Sequence, residues 1–534
     1  LGECINSDDS EDIPPVDPEK GKLVIKESTQ EGDVTLQTYK QYFSAIFSPL
    51  SFIIWIISLA ACELLLLAYN RFLGYWADET IKQSLAATIC GILTVVLLLV
   101  RLYTLIFWIV CSLNGTNKLH KQMLSRVIGS PLLFFETNPV GRILNRFSTD
   151  MGIVDRSLPS SFFDTAQGII YFLTLFITVW VLNPIIAIPG MISIGLYIWV
   201  CRFSAKSMRE TKGLELITRS PVYSFFSMTL SGLIPIRVYN QADRFIQNFT
   251  KRLDENAKAS YYYWHTTRVL CFYIEFAASI YIIVGLAILI SMKDPNSDSG
   301  LVGLSASYLL SITETLTFVF RQFINTDMMM ASSARVISYS TLPTEAALEL
   351  PNDKTLKQNS WPNKGEIVFK NVYMRYRPEL PHTIKGLNLK INAGETIGCV
   401  GRTGAGKSSV IQLLFRMVEL DKSEEIINNS ILIDGVDTET VGLHALRGGI
   451  SIIPQTPLIF SGTMRQNLDP FGKYSDEEIW EVLGQLGLKS EVRRLEKKLD
   501  TMISPESVVL SVGEKQLLCL ARVMLQKNKI LLMD

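Results

Sequence analysis

Six long apolar stretches dominate the first two thirds of this 534-residue sequence. Each is close to the ~20 residues that an α-helix needs to cross a hydrocarbon layer ~30 Å thick. A soluble protein can bury one such helix, but six in succession, each with at most one charged residue, predict membrane-spanning helices. The six stretches are Leu50–Tyr69, Leu85–Val110, Thr165–Leu182, Ile185–Cys201, Val269–Met292 and Leu301–Phe320.

The connections between these stretches alternate between short and long. Those after the second and fourth stretches are long and rich in Lys and Arg, so the positive-inside rule places them, with both termini, in the cytoplasm. Apolar residues recur at helical spacing over Leu119–Val127 and Glu215–Asn256. The long loops are therefore predicted to be helices that continue past the bilayer.

Composition excludes several classes of protein. Lys and Arg number 51 and Asp and Glu number 51, so no net field favours nucleic acid as a partner. The eight cysteines contain no Cys-x-x-Cys pair, which excludes a zinc ribbon. Their wide spacing also excludes a disulfide scaffold and is typical of a reducing compartment.

A glycine-rich segment at 401–408 carries the clearest chemistry. It follows the apolar run Ile397–Val400, predicted to be a strand, and precedes the helical run Ser409–Val418. This is the context that a phosphate-binding P-loop requires, because glycines let backbone amides close around phosphate oxygens at a helix N-terminus. Lys407 is expected to reach the β- and γ-phosphates of ATP, and the Ser408 hydroxyl to ligate Mg²⁺. The predicted nucleotide-binding residues of this segment are Gly401, Arg402, Thr403, Gly404, Ala405, Gly406, Lys407, Ser408 and Ser409.

The final third of the chain alternates short apolar runs with helical segments, which is typical of an α/β domain. The last run ends in Asp534, a carboxylate expected to hold the metal ion opposite the P-loop. The predicted strands are Ile367–Val372, Thr396–Val400, Ile431–Ile433, Gly449–Ile453 and Ile530–Met533.

The order of these motifs resembles an ATP-binding-cassette (ABC) exporter, specifically the second half of a multidrug-resistance-associated (subfamily C) transporter. After the six spans and the P-loop come a glutamine loop at 453–455, the signature Leu-Ser-Val-Gly-Glu at 510–514, and the Walker B strand. The phrases at 141–148 (GRILNRFS) and 300–304 (GLVGL) are typical of that subfamily. The resemblance implies a multi-domain membrane protein: a six-transmembrane-helix (type 1) exporter domain followed by a truncated α/β P-loop NTPase domain.

The resemblance also implies roles by position. Tyr376 is similar to the aromatic residue that stacks on adenine, and Gln455 to the residue that senses Mg²⁺ and the attacking water. Ser511 and Gly513, with Glu514 beside them, match positions that contact the γ-phosphate of ATP on the opposite nucleotide-binding domain. Lys407, Gln455 and Asp534 are thus expected to be catalytic, and Ser408, Gln455 and Asp534 to hold the metal.

Four segments are predicted along the chain: a cytoplasmic linker (1–41), the exporter domain (42–326), a second linker (327–364) and the nucleotide-binding domain (365–534). The resemblance places a general-base Glu directly after Asp534 and a switch His further on. This fragment alone is therefore expected to be inactive and incomplete at its C-terminus. Its expected partners are the first-half transmembrane and nucleotide-binding domains of the same parent chain, or an equivalent half-transporter.

The implied function is ATP-driven export of an amphipathic or anionic organic compound through alternating access, from the plasma membrane or a vacuolar or lysosomal membrane. Arg101 and Arg321 are hypothesised to line the translocation cavity and favour anions. Val269 stands where relatives often have Trp, so the substrate of a known relative cannot be assigned to this chain.

Two alternatives share the fold: an ATP-gated anion channel and a nucleotide-binding channel regulator. A membrane-anchored GTPase is disfavoured because the sequence has no Asn-Lys-x-Asp motif.

Overall fold

The computed structural model describes residues 35–77, 82–291, 299–377, 379–402, 404–422, 429–504 and 510–534. They form two compact units. The helical unit contains residues 35–127 and Val140–Leu342, and the α/β unit contains Ile128–Pro139 and Pro343–Asp534. Thr403 and most of the predicted linker 1–41 lie outside the described residues, and the domain boundaries stay predictions.

Long helices build the helical unit, with two π-helical turns (Arg146–Asp150 and Ile153–Ser157) before α6 and a 3₁₀ turn (Pro184–Ile186) before α7. The α4 helix belongs to the α/β unit. In chain order the helices are α1 (Leu36–Ile46), α2 (Pro49–Ala77), α3 (Gln83–Ile128), α4 (Leu132–Thr137), α5 (Val140–Asn145), α6 (Leu158–Leu182), α7 (Ala187–Ser231), α8 (Leu233–Val238), α9 (Ala242–Ser291) and α10 (Ser299–Ser340).

The described residues include five helices long and apolar enough to cross a membrane, together with a shorter apolar helix at Pro184–Val200. The six apolar stretches of the sequence lie in these helices, except that Met292 falls outside the described residues. Many large side chains on their surfaces are exposed: Leu98 by 61% and Ile290 by 74%. Such a surface is unfavourable in water and stable in lipid. The five long spans are Pro49–Trp76, Gln83–Ile128, Val140–Leu182, Ala242–Ser291 and Val302–Ser340.

Aromatic side chains join the helices of this unit. Trp55 of α2 and Trp108 of α3 stack with their ring centroids 4.6 Å apart. The indole of Trp108 also donates a hydrogen bond to the Pro159 carbonyl of α6 at 3.1 Å. Phe176 of α6 and Tyr281 of α9 stack at 5.5 Å. Aromatic pairs in this range contribute about 0.5–1.5 kcal/mol beyond the area they bury, so they fix which helix faces meet.

The second long loop is helical, as predicted, but it is interrupted. The α7 helix ends at Ser231, and the short α8 helix separates it from α9. Asn240, just before α9, has a φ of 53°, a left-handed conformation that Asn tolerates better than most residues. The chain therefore reverses here, and α7 and α9 pack side by side.

The described residues of the α/β unit form three sheets and the helices around them. The first has the order β2-β1-β3-β4, the second is the parallel pair β5-β8, and the third is the small pair β6-β7. The elements are α11 (Asp353–Gln358), β1 (Ile367–Met374), β2 (Ile384–Ile391), α12 (Lys407–Leu414), β3 (Ser430–Ile433), β4 (Val436–Asp437), α13 (Leu443–Gly448), β5 (Ile450–Ile453), β6 (Gly462–Thr463), α14 (Met464–Leu468), α15 (Asp476–Gln485), α16 (Lys489–Arg494), β7 (Met502–Ile503), α17 (Val512–Gln526) and β8 (Ile530–Met533).

Four of the five predicted strands are confirmed, as parts of β1, β3, β5 and β8. The prediction of a strand at Thr396–Val400 is wrong: these residues have no ladder partner among the described residues, and Val400 is 97% exposed. An apolar run becomes a strand only where a neighbouring edge satisfies its backbone groups. The helix predicted over Ser409–Val418 is also shorter, because α12 ends at Leu414 and Arg416 has a left-handed φ of 47°.

A buried charge cluster closes the turn region between α5 and α6. The Asp150 carboxylate accepts hydrogen bonds from Arg146 at 2.8 Å and from the Arg335 Nε at 3.0 Å. Asp150 and Arg146 are 2% and 6% exposed. Removing one partner of such a cluster leaves an uncompensated buried charge, whereas the complete cluster is stable.

We predict that Asp150→Ala destabilises the helical unit by about 3–5 kcal/mol, because both guanidinium groups lose their acceptor. The melting temperature of the intact protein in detergent measures this. Asp155→Ala, an exposed residue on the same segment, is the matched control and should melt like the wild type. Equal melting temperatures for the two variants would contradict the assigned role of Asp150.

Candidate nucleotide-binding site

The loop at 401–408 has the backbone that a phosphate cradle needs. Gly404 and Gly406 have φ values of +84° and +90°, which side chains with a Cβ rarely adopt. Gly406 is the N-cap of α12, so the loop leads directly into a helix N-terminus. Backbone amides and the helix dipole then favour an anion at this point.

Lys407 and Ser409 are fixed by the first turn of α12. The Lys407 ammonium donates hydrogen bonds to the carbonyls of Gly401 at 2.7 Å and Arg402 at 3.0 Å. It therefore lies folded over the loop, with its charge on the exposed side. Ser409 is buried, and its hydroxyl lies 2.7 Å from the Tyr376 hydroxyl. The structure thus brings Tyr376 to the P-loop helix; its stacking on adenine stays a prediction.

Ser408 and Asp534 meet although 126 positions separate them. The Ser408 hydroxyl donates to the Asp534 carboxylate at 2.9 Å. The backbone amide of Asp534 donates to the Ile453 carbonyl at 3.1 Å, which ties the end of β8 to β5. A hydroxyl and a carboxylate side by side are the hard oxygen donors that Mg²⁺ prefers. This donor set fits the predicted metal site.

Gln455 lies at the same edge of the parallel sheet as Asp534. The register of β5 and β8 pairs Ile453 with Met533, and Gln455 follows β5 by two residues on an exposed bend. The carboxyl ends of neighbouring parallel strands are where α/β proteins place their ligands. The sheet therefore brings Gln455 and Asp534 to one edge.

The signature segment forms the start of α17. Ser511 is its N-cap and accepts a hydrogen bond from the Glu514 amide at 3.3 Å. In return, the Glu514 carboxylate accepts hydrogen bonds from the Ser511 amide and hydroxyl, both at 2.7 Å. The Ser511 hydroxyl and amide lower the pKa of the Glu514 carboxyl, because both hydrogen bonds favour its charged form. Among the described residues, no hydrogen bond joins Ser511, Gly513 or Glu514 to the P-loop.

Sequence reasoning missed this role of Glu514, although the spacing Ser-x-x-Glu is the capping-box pattern. It also missed Arg522, about two helical turns further along α17. The Arg522 guanidinium donates to the carbonyls of Leu458 at 2.6 Å and Asn467 at 2.5 Å. It therefore connects the segment after Gln455 to the signature helix. No local pattern in the sequence marks it, because the two carbonyls that it binds are more than 50 positions away.

We predict that Glu514→Gln lowers the melting temperature at pH 7, because a carboxylate at a helix N-terminus stabilises it by about 0.3–1 kcal/mol. Since the folded pKa of Glu514 lies below the ordinary value near 4.3, this stabilisation is present above that value and is lost as the pH falls through the folded pKa. The gap between wild type and variant should therefore close under acid conditions. Glu481→Gln, an exposed position within α15, is the control and should show no gap. A gap that is the same at pH 7 and at about pH 4 would contradict the capping role.

Comparison with known protein families agrees with this geometry. The family model of the ABC transporter transmembrane region matches residues 52–317, and the ABC transporter model matches residues 384–534. The second match begins at β2 and includes the P-loop, Gln455, the signature and Asp534. Both halves of the chain are thus assigned independently of each other.

Similar curated proteins come from distant organisms. ABC transporter C family member 1 of Dictyostelium discoideum is 36% identical over 97% of this chain and 39% of its own length. The human ATP-binding cassette sub-family C member 4 is 36% identical over 99% of this chain and 40% of its own length. The metal resistance protein YCF1 of Saccharomyces cerevisiae is 36% identical over 96% of this chain and 34% of its own length. The chain spans less than half of the length of these relatives, and it belongs to the ABC transporter family, subfamily C.

Proposed function

We propose that the protein is an ATP-driven exporter of amphipathic or anionic organic compounds, in which ATP binding and hydrolysis are coupled to alternating access. The observation that carries this proposal is the hydrogen bond between Ser408 and Asp534, which completes a P-loop and Walker B pair. The same chain carries helices of membrane-crossing length. A nucleotide site on the same chain as these helices supports the proposal that ATP binding and hydrolysis move them.

The residues around the P-loop fit the parts of Mg-ATP. The amides of 404–408 and the Lys407 ammonium suit the phosphates, and Tyr376 lies beside the same helix turn for the base. Ser408 and Asp534, with Gln455 at the same edge, supply oxygen donors for Mg²⁺. A bound Mg²⁺ neutralises phosphate charge. In this proposal Lys407 leaves the carbonyls of Gly401 and Arg402 when phosphate oxygens replace them as acceptors.

The signature serves a second nucleotide site in this proposal. Ser511 and Gly513 stand at the N-terminus of the 15-residue helix α17, whose dipole favours an anion. The partner is then a nucleotide-binding domain that brings its own P-loop, from the first half of the parent chain or an equivalent half-transporter. The Glu514 carboxylate already holds the Ser511 hydroxyl, so a phosphate must compete with it for that donor. Glu514 thereby weakens this second site relative to a Gln at the same position.

The path from nucleotide to membrane helices runs through the chain itself. The α3 helix begins among the apolar residues of the helical unit and ends at Ile128, within the segment Ile128–Pro139 that belongs to the α/β unit. The Gly129 carbonyl there accepts a hydrogen bond from the Glu345 amide at 2.8 Å. In this proposal the two units are coupled by the continuity of the chain at Ile128, and domain motions are commonly converted into gating.

We predict that Lys407→Ala reduces photolabelling of the full-length protein by azido-ATP at least about tenfold, the loss expected for a charged partner of phosphate worth ~1.4 kcal/mol or more. Lys422→Ala is the matched control, because its ammonium pairs with Glu439 on the surface of the same unit. It should label like the wild type. A wild-type protein that azido-ATP fails to label would overturn the proposed function.

A further inference from the structure

Four helices of the helical unit enclose a cavity of about 520 Å³. Its walls come from α2, α3, α6 and α10, all within one compact unit. Ionisable side chains are unusual in an intramembrane setting and generally mark a binding or transport site. The ionisable and amide groups on the walls are Glu63, Arg101, Asp164, Gln167 and Glu314.

Glu63 is the buried member of this set. The residue is 3% exposed, and its Oε2 atom has no hydrogen-bond partner among the described residues. The positive charge of Arg101 acts on Glu63, but the two form no ion pair within the described residues. A buried carboxylate without a close counter-charge is strongly unfavourable as an ion. Glu63 is therefore stabilised either by a proton, as a neutral acid, or by a closer positive group, as an ion.

The other wall groups differ in how far they are satisfied. The Asp164 carboxylate accepts a hydrogen bond from the Gln322 amide at 3.0 Å. Glu314 is exposed to the cavity side of α10 and, in the part of the chain that the structure describes, forms no ion pair or hydrogen bond. Arg101 likewise forms no ion pair within the described residues, so its charge acts on the three carboxylates from a distance. One guanidinium faces three carboxyl groups, so the wall carries an excess of negative charge when these groups are ionised.

This arrangement differs from the sequence hypothesis for Arg101 and Arg321. Arg101 does line the cavity, but Arg321 is not among its wall residues. The carboxylates beside Arg101 come from α2, α6 and α10, which the sequence separates by 100 positions or more. The field inside the cavity therefore repels an anion and attracts a cation.

We propose that this cavity binds the cationic group of an amphipathic organic compound, with Glu63 as its principal counter-charge; the inference rests on the export function proposed above. A substituted ammonium or phosphonium group replaces the missing partner of Glu63, and Glu314 lies across the same space. Tyr171 and Phe318 line the wall, and aromatic rings attract a desolvated cation. Leu66 adds apolar surface for the uncharged part of the molecule.

Two probes of the same size and opposite charge test this site. Tetraphenylphosphonium and tetraphenylborate present the same four phenyl rings and differ in the sign of the central charge. Equilibrium binding of each radiolabelled ion to the full-length protein in detergent gives the preference directly. We expect the wild type to bind the phosphonium at least about tenfold more tightly than the borate, a difference of ~1.4 kcal/mol.

Variants of Glu63 distinguish phosphonium binding at this cavity from nonspecific hydrophobic binding of the probe. Glu63→Gln should weaken phosphonium binding at least about tenfold, and Glu63→Asp, which keeps the charge, should retain most of it. Glu275→Gln removes an exposed carboxylate of α9 that does not line the cavity, and should bind like the wild type. Glu314→Gln provides a second test if Glu63→Gln fails to elute as a folded protein, and should also weaken phosphonium binding.

Either of two results would overturn the inference: borate bound as tightly as phosphonium, or Glu63→Gln and Glu275→Gln behaving alike. Azido-ATP labelling of the same preparations keeps this outcome separate from the proposed function. Protein that is labelled but shows no preference for the phosphonium overturns the cation site alone. Protein that prefers the phosphonium but is not labelled supports the site and overturns the exporter.

Discussion

Lipid offers no hydrogen bonds to a peptide backbone, and most of this structure follows from that constraint. Long helices satisfy their own amides and carbonyls, so the apolar stretches of the sequence become helices rather than strands or loops. Hydroxyl side chains within them follow the same rule. Thr104 donates to the carbonyl of Val100 at 2.9 Å, and Thr165 donates to the carbonyl of Ser161 at 2.7 Å. Among the described residues, the Glu63 Oε2 atom finds no such partner, and the proposed cation site is built on it.

The α/β unit is suited to bind a strongly charged ligand through the geometry of its backbone. Glycines at 404 and 406 allow the loop to turn its amides inward, and the α12 helix begins where the loop ends. The Ser408–Asp534 hydrogen bond then joins the loop to the edge of the β5–β8 sheet. The signature differs from the P-loop, because the acidic side chain of Glu514 occupies the N-terminus of α17. In the proposed function, the P-loop and the signature therefore differ in how readily they accept a phosphate.

Much of this could be predicted from the sequence, because local patterns suffice for it. Membrane-length apolar stretches, the P-loop at 401–408 and the strands around Ile431 and Ile530 are each specified by a few neighbouring residues. The strand at Thr396–Val400 could not be judged in this way, since a strand depends on the edge beside it and not on its own residues. The excess of carboxylates near Arg101 could not be predicted from the sequence either. Glu63, Asp164 and Glu314 come together only when α2, α6 and α10 pack, and no spacing rule connects them.

Concentrative uptake into inside-out vesicles tests most directly whether nucleotide binding at 401–408 drives transport through the helices. The full-length protein should accumulate an amphipathic organic ion above its external concentration with ATP and Mg²⁺ present, and should do so neither with ADP nor with the Lys407→Ala variant. Flux that only equilibrates the ion, or an ATP-gated current without accumulation, would identify a channel. Neither accumulation nor current, from protein that still binds ATP, would identify a regulator and contradict the exporter.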